Sequence, residues 1–337
     1  MSRTLSSGPI SRRNLLRTAA LAAPFVTLRR PLASTWQPTR PVELIVGAGP
    51  GGGNDRVARM LQRVIQQRSL VPTNIVVINR PGAGGSIAQN YLNTRAGDGH
   101  YLMVENPALV TNPLMGIGQG SIRGITPLAR LLADYVVTIG RRDIQLADGA
   151  ALIAQMKQEP GKFNIAVAPG LGTGPHLAIA MLAQAVGVDP AQLSMIPFGS
   201  AADALAAVLG GQVDLLPSTT ENVQALIRDD RVRAFGVSAP QRLPAPLADI
   251  PTWKDQGADV VFNNWRALVG PRDLPAEAVA FWEGVFRSVN ADADYQRLAN
   301  ASFLVPDYLG PADFATALET EDRQMQALLR RLNLMTR

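Results

Sequence analysis

The sequence predicts an α/β protein of two lobes, each a mostly parallel sheet with helices on both faces, and a ligand cleft between them. Three observations carry this. Short β-branched runs alternate with amphipathic stretches of ten or more residues, and Gly-rich or hydroxyl-rich turns join them. The rhythm runs twice, with a break in the middle of the chain. A length of 337 residues exceeds what one ordinary core accommodates and fits two domains. Lobe 1 is expected over 35–140 and 256–337, lobe 2 over 141–255, after a leader at 1–34.

Taken in order, Val42 to Val46 reads as a strand that runs through Gly47 to Gly53 into a helix from about Asp55 to Gln67. On that helix Val57, Met60, Leu61, Val64 and Ile65 share one face, and Asn54 or Asp55 caps its start. Ile75 to Ile78 is a second strand, followed by the turn Arg80 to Gly85 and a helix from Ser86 to about Thr94. Tyr101 to Val104 is a third strand. Glu105 to Pro113 reads as a loop, because Pro107 and Pro113 break the rhythm. Leu128 to Ile139 includes strand that leaves the first lobe.

In the second lobe Asn164 to Ala168 leads through the turn Pro169 to Pro175 into a helix from about His176 to Val186. Met195 to Phe198 leads through Gly199-Ser200 into the helix Ala201 to Leu209. Val213 to Leu216 precedes Ser218-Thr219-Thr220 and the helix Glu221 to Ile227, and Val232 to Ser238 is another strand. The Pro-rich run Leu243 to Thr252 reads as the way back to lobe 1, which Phe281 to Val289 and Pro311 to Leu332 close as outer helices.

The basic balance of the chain resides in its leader. Arg3, Arg12, Arg13, Arg17, Arg29 and Arg30 lie in the first 34 residues without an Asp or Glu, so the formal +5 becomes −1 beyond Ser34. This removes the argument for a nucleic-acid partner. Ser11-Arg12-Arg13-Asn14-Leu15-Leu16, the apolar run Ala19 to Leu28 and the small pair Ala33-Ser34 have the order of a twin-arginine export signal. Beyond it no run approaches the roughly 18 apolar residues of a membrane span, and with no cysteine there is neither disulfide nor thiolate chemistry. A soluble, exported, periplasmic protein is expected.

Turns that join a strand's C-terminal end to a helix start present unpaired N–H groups and the positive end of the helix dipole, so they hold anions without Lys or Arg. Two long ones, Gly47 to Asn54 and Pro169 to Pro175, lie in different halves. In open α/β sheets ligands sit beyond the strands' carboxyl ends, so two such lobes face to face make a cleft. The rival reading is a nicotinamide-dependent oxidoreductase, since Gly47-Ala48-Gly49-Pro50-Gly51-Gly52 matches G-x-G-x-x-G. The acid that would bind the ribose is replaced by Asn79, with Arg80 behind it, and Pro50 crowds the turn. His100 and His176 lack metal-ligand spacing, and no nucleophile elbow or Walker lysine is present. His176 at a helix start is a candidate hydrogen-bonding partner of a ligand. Glu105, Asp55 and Asp203 are candidate acids, though lone carboxylates near helix starts are more often caps. No catalytic residue, metal or cofactor is expected.

Several segments together resemble the periplasmic receptors of the tripartite tricarboxylate transporters, the Bug family. They are Trp36 to Val42, Pro50-Gly51-Gly52-Gly53-Asn54-Asp55 before Val57-Ala58-Arg59, Asn79 to Gly85, Leu209 to Asp214, Val232-Arg233-Ala234 and Asp249-Ile250-Pro251-Thr252. Thr126 to Arg130 and Asn263-Asn264-Trp265-Arg266 look closer to the tricarboxylate branch. The resemblance spans the chain from Trp36 to the last helix. It implies a two-lobe, type II-like periplasmic binding fold that closes on a small di- or tricarboxylate and delivers it, as a monomer, to transporter membrane subunits. A receptor that senses without transport shares that fold. The resemblance places ligand contacts at Pro50, Gly51, Gly52, Gly53, Asn54 and Asp55, at Asn106, Pro107 and Ala108, and at Gly170, Leu171, Gly172 and Thr173. Gly199, Ser200, Ser218 and Thr219 line the opposite side. Trp265 is added as an aromatic at a strand end, with core packing as its other use; Arg266 beside it suits a carboxylate or a surface acid and is left out of the expected contacts. The chain departs from the family at Asn54, where Thr is usual, and at Glu105, whose charge would repel an anion near the cleft.

Overall fold

The computed structural model describes residues 36–118 and 120–336; the expected export signal lies outside them. The first sheet has six strands: β1 (Val42–Val46), β2 (Ile75–Asn79), β3 (Tyr101–Glu105), β4 (Ile125–Ala133), β10 (Arg266–Pro271) and β11 (Val305–Leu309). Their order is β11-β4-β10-β3-β1-β2. The second sheet has five, β5 (Val136–Arg141), β6 (Asn164–Val167), β7 (Ser194–Pro197), β8 (Leu215–Thr219) and β9 (Val232–Val237), in the order β7-β6-β8-β5-β9.

Both sheets are mixed. β1 pairs parallel with β2 and β3, as the βαβ alternation requires, but β10 runs antiparallel between β3 and β4. In the second sheet β5 is antiparallel to both neighbours, β8 and β9. β5 and β10 each enter a sheet from the other one with no helical crossover before them, and β11, which two helices separate from β10, is antiparallel to β4.

The first sheet's faces alternate along β3 and β10, while register shifts interrupt the alternation in β4. Leu102, Val104 and Leu268 point to one face, under α1 (Gly53–Gln67), α8 (Ala276–Ala291) and α9 (Ala293–Ala301). Tyr101, Met103, Ala267 and Val269 point to the other, under α2 (Ser86–Asn93), α3 (Ala108–Leu114) and α10 (Pro311–Arg331). The second sheet packs α4 (Gly149–Gln158) and α5 (Gly174–Ala185) on one face and α6 (Ala201–Leu209) and α7 (Thr220–Arg228) on the other. α5 is apolar all round because it has two partners. Ile179, Leu182 and Ala183 enter the second sheet's core, while Leu177, Ala178 and Ala180 join the core beside Phe262, Trp265 and Phe314.

Four expectations change. Glu105 to Pro113 is not a loop: Ala108–Leu114 is helical, with Pro107 at its start and Pro113 in the last turn, where a missing N–H costs one bond. Ser218 and Thr219 are the buried end of β8 rather than a turn. The run Leu243 to Thr252 stays with the second sheet, burying Leu243, Leu247 and Ile250 in its core. The chain passes between sheets at Asp134-Tyr135, not near 140, and returns at Phe262 to Trp265, not near 256. The two passages pair there, with Tyr135 bridged to Asn263 and the Asn264 N–H donating to Asp134 O at 2.9 Å.

Candidate functional site

The turn between β1 and α1 is held from inside. Gly51 has φ +80°, which glycine adopts without strain, and the helix cap Gly52 has no side-chain partner. Asp55, in the first turn, reaches back instead: its Oδ2 accepts from the Gly51 N–H at 2.8 Å and from Arg59 Nε at 2.9 Å, and Oδ1 accepts from Asn79 Nδ2 at 2.9 Å. Burial favours the protonated acid, but these donors outweigh it and hold the pKa at about 2. Asp55 is therefore a structural anion and is not available to a ligand. The amides at the start of α1 are left, because the first N–H groups of a helix have no intrahelical acceptor.

Beside this turn Asn54 Nδ2 and Val104 O are in long contact at 3.5 Å, as are Asn106 Nδ2 and Asn54 Oδ1. Asn106 Oδ1 accepts from the Ala108 N–H at 2.8 Å, which ties the start of α3 to the end of β3. Glu105 is buried, and desolvation pushes its pKa up to about 8 against a smaller opposing effect of the Asn106 N–H. At neutral pH it is largely uncharged, so the expected repulsion of an anion does not arise from it.

In the second lobe the turn before α5 depends on Gly170 at φ +139° and Gly172 at φ +77°. The Thr173 hydroxyl donates to Gly170 O at 2.7 Å, and the Gly172 N–H donates to His176 Nδ1 at 2.8 Å. His176 is buried, and desolvation lowers its pKa to about 4, so the ring is neutral with its proton on Nε2. Leu171 is exposed. This turn meets lobe 1 directly, since a Cβ at Gly172 would stand 2.1 Å from Sδ of Met115, just after α3.

The helix starts of the two lobes meet one polar cluster on the connecting strands. Arg266 Nη1 donates to Asn264 O at 2.6 Å and Trp265 O at 3.1 Å, and Nη2 contacts Asp134 Oδ2 at 3.4 Å. Asn264 Nδ2 donates to the same Oδ2 at 3.2 Å, and Thr220 Oγ1, at the start of α7, lies 3.3 Å from Oδ1. A Cβ at Gly53 would stand 3.3 Å from Arg266 Nη2, and one at Gly174 would stand 3.2 Å from Asn264 Oδ1. Thus α1, α5 and α7 all begin against the Asp134, Asn264 and Arg266 cluster. Burial raises the Asp134 pKa to about 6 despite Arg266, and nearby Glu221 adds to the rise. Arg56 of α1 pairs with Glu221 of α7 beside it.

Ser200, Trp265 and Ser218 have partners of their own. Ser200 is spent as the cap of α6, accepting from the Asp203 N–H at 3.2 Å and donating to Asp203 Oδ2 at 2.7 Å. With Gly199 it follows β7, which pairs parallel with β6, so this turn stands beside the one that leads into α5. Trp265 is corrected from ligand floor to core. Its ring packs edge-on against Phe314, and Nε1 donates to Glu321 Oε2 at 2.7 Å, on the face away from Gly53. Ser218 is buried and accepts from Asn222 Nδ2 at 3.4 Å. The roles of Asp134, Asn264 and Glu221 escaped the sequence reading. A lone acid within the apolar stretch Leu131 to Ile139 was the available signal. At the end of β2, where the dinucleotide fingerprint has an acid, Asn79 donates to Ala48 O at 3.0 Å and to Asp55 Oδ1 at 2.9 Å.

Residues 57–334 match the family described as tripartite tricarboxylate transporter family receptor. Protein BugT of Bordetella pertussis is 30% identical over 270 residues, covering 77% of this chain and 80% of that protein. A TctC solute binding protein from Polaromonas, solved without ligand, superposes with a TM-score of 0.76 at 25% identity, over 88% of this chain and 99% of the other. MatC from Rhodopseudomonas palustris, solved with bound malate, has the same fold, with a TM-score of 0.69 at 24% identity over 87% of this chain and 99% of that one. With a family match over most of its length and the same two-lobe architecture, the chain belongs to the tripartite tricarboxylate transporter receptor family.

Proposed function

We propose that this protein is a non-enzymatic periplasmic receptor. It captures a small di- or tricarboxylate between its lobes and delivers it to the membrane subunits of a tripartite tricarboxylate-type transporter. The observation that carries the reading is the meeting of the α1 and α5 starts, one from each lobe, on the cluster of Asp134, Asn264 and Arg266. Oriented amides from both sides suit an anionic guest and need no reactive side chain. The amides at Gly53 and Asn54, with Asn106 beside them, supply the lobe 1 contacts, and the Gly170 to Thr173 turn supplies those of lobe 2. The malate held by the MatC relative supports the ligand class. Among the described residues no helix is long and apolar enough to cross a membrane.

Thermal melting of the mature protein against citrate, malate, succinate and adipate tests this. An upward shift that grows with ligand concentration is expected, by mass action on the closed state. A shift with NAD or NADP and none with any acid would replace the reading by the oxidoreductase one.

A further inference from the structure

Arg266 is held for a task that its protein partners leave unfinished. It is 7% exposed, and Nη1 is fixed by two backbone carbonyls, Asn264 O and Trp265 O, which sets the plane of the guanidinium. On the other edge Nη2 has only the long 3.4 Å contact to Asp134, and the buried Nε has no hydrogen-bond partner. Nε and Nη2 form the side-on edge of an arginine, two parallel N–H donors spaced for the two oxygens of a carboxylate. That edge faces the start of α1, since a Cβ at Gly53 would stand 3.3 Å from Nη2 and 3.9 Å from Nε. The alternation of β10 explains the direction. Arg266 is in phase with Leu268, whose face packs α1, and out of phase with Ala267 and Val269.

The acids nearby are engaged elsewhere. Glu221 Oε2 lies 3.8 Å from the same Gly53 position, but Glu221 is paired with Arg56. Asp134 is shared between Asn264, Thr220 and Arg266, and desolvation favours its neutral form. A buried guanidinium N–H without an acceptor is costly, and beside a helix start an incoming anion would supply one.

We propose that Arg266 is a specificity-determining residue of this site, receiving one ligand carboxylate side-on through Nε and Nη2 beside the first amides of α1. This rests on the carboxylate reading above. It adds that recognition is charge-paired as well as amide-based, so that a ligand whose carboxylate is replaced by a neutral amide of the same shape is rejected.

The test is a cycle of ligand and protein variants by titration calorimetry. The probes are the tightest binder among malate, succinate, adipate and citrate, and its monoamides. The proteins are wild type, Arg266→Lys, Arg266→Gln and the double variant Asp134→Asn/Arg266→Gln, which avoids an unpaired buried acid if the single change misfolds. The wild type is expected to prefer the acid over at least one monoamide by about 10- to 100-fold, the range of a charged hydrogen-bonded pair. The ratio should fall to within about threefold in the Gln variants, while Arg266→Lys, which keeps the charge but loses the fork, lies between. A Gln variant that folds and keeps the wild-type ratio overturns the role of Arg266 and leaves the carboxylate reading intact. Failure of the wild type to bind any of the four acids overturns both.

Discussion

The backbone N–H of Gly51 donates to Oδ2 of Asp55 across 2.8 Å, so the glycine turn of lobe 1 is shaped by a carboxylate of its own helix. Removing that acid in Asp55→Ala should cost about 2–3 kcal/mol, the range for buried charged hydrogen bonds. The pH dependence has a definite sign. The folded pKa lies below the ordinary 3.8, at about 2, so the contribution is complete above pH 3.8 and fades as pH falls through 2. The stability gap between wild type and Asp55→Asn in urea titrations should shrink from pH 5 to pH 2. A constant gap would show that the charge is not what holds the turn.

Glu105 behaves oppositely. Its folded pKa is raised from 4.5 to about 8, so its contribution is complete below pH 4.5 and is lost as pH rises through 8. Glu105→Gln, which mimics the neutral acid, should match wild type near pH 5 and exceed it near pH 9 by up to about 5 kcal/mol. Equal stability at both values would place the carboxyl in water.

His176 anchors the second turn through Nδ1, and its pKa falls from 6.5 to about 4 because burial disfavours the cation. A depressed pKa gives stability that is complete above pH 6.5 and lost as pH falls through 4. His176→Asn, which can keep an acceptor for the Gly172 N–H, should lose this dependence and retain most of the stability. His176→Ala should lose about 1–2 kcal/mol at pH 7. Heteronuclear NMR titration of the His176 ring checks the pKa directly, and an ordinary value near 6.5 would refute the buried neutral ring.

The alternation of apolar runs and turns was legible because period and burial coincide, as in α6, whose Ala201–Leu209 span was expected as it stands. α3 was hidden because Pro107 and Pro113 are signals of a break, yet each occupies a helix end that tolerates it. The two glycine turns were legible as joints between a strand end and a helix start, and Gly51 and Gly172 take the positive φ that glycine permits there. What no local pattern reveals is which polar side chains the two connecting strands bring together. Asp134 and Asn264 are 130 residues apart and meet only because the passages pair. Arg266 was visible as a residue, but its unsatisfied Nε is a property of the assembled core.

Trp265 is a packing residue, so its removal should separate stability from binding. Trp265→Phe retains the ring against Phe314 and loses the Nε1 bond to Glu321, whose pKa burial already raises to about 7. A cost of about 1–2 kcal/mol is expected, from the bond and the stranded acid. Carboxylate affinity should stay within about threefold of wild type by calorimetry. A loss of affinity larger than tenfold at intact fold would restore the indole to the ligand site.

The close approach of Gly172 to Met115 joins the second-lobe turn to the end of α3 and leaves little room for a side chain at 172. Alanine at 172 meets two obstacles: the backbone stands at φ +77°, and the new Cβ would lie 2.1 Å from Met115 Sδ. The first costs about 1–2 kcal/mol wherever Met115 is, because the left-handed region crowds any Cβ. The second disappears when Met115 is shortened. Gly172→Ala should therefore lose more stability than Gly172→Ala/Met115→Ala loses relative to Met115→Ala alone, by a coupling of about 0.5–3 kcal/mol. If the turn meets α3 only when the lobes close, the single variant should also show a larger radius of gyration by small-angle scattering, and the double variant should recover the wild-type value. Strict additivity of the two changes, with no change in radius, would mean that the turn and α3 do not press on each other in solution.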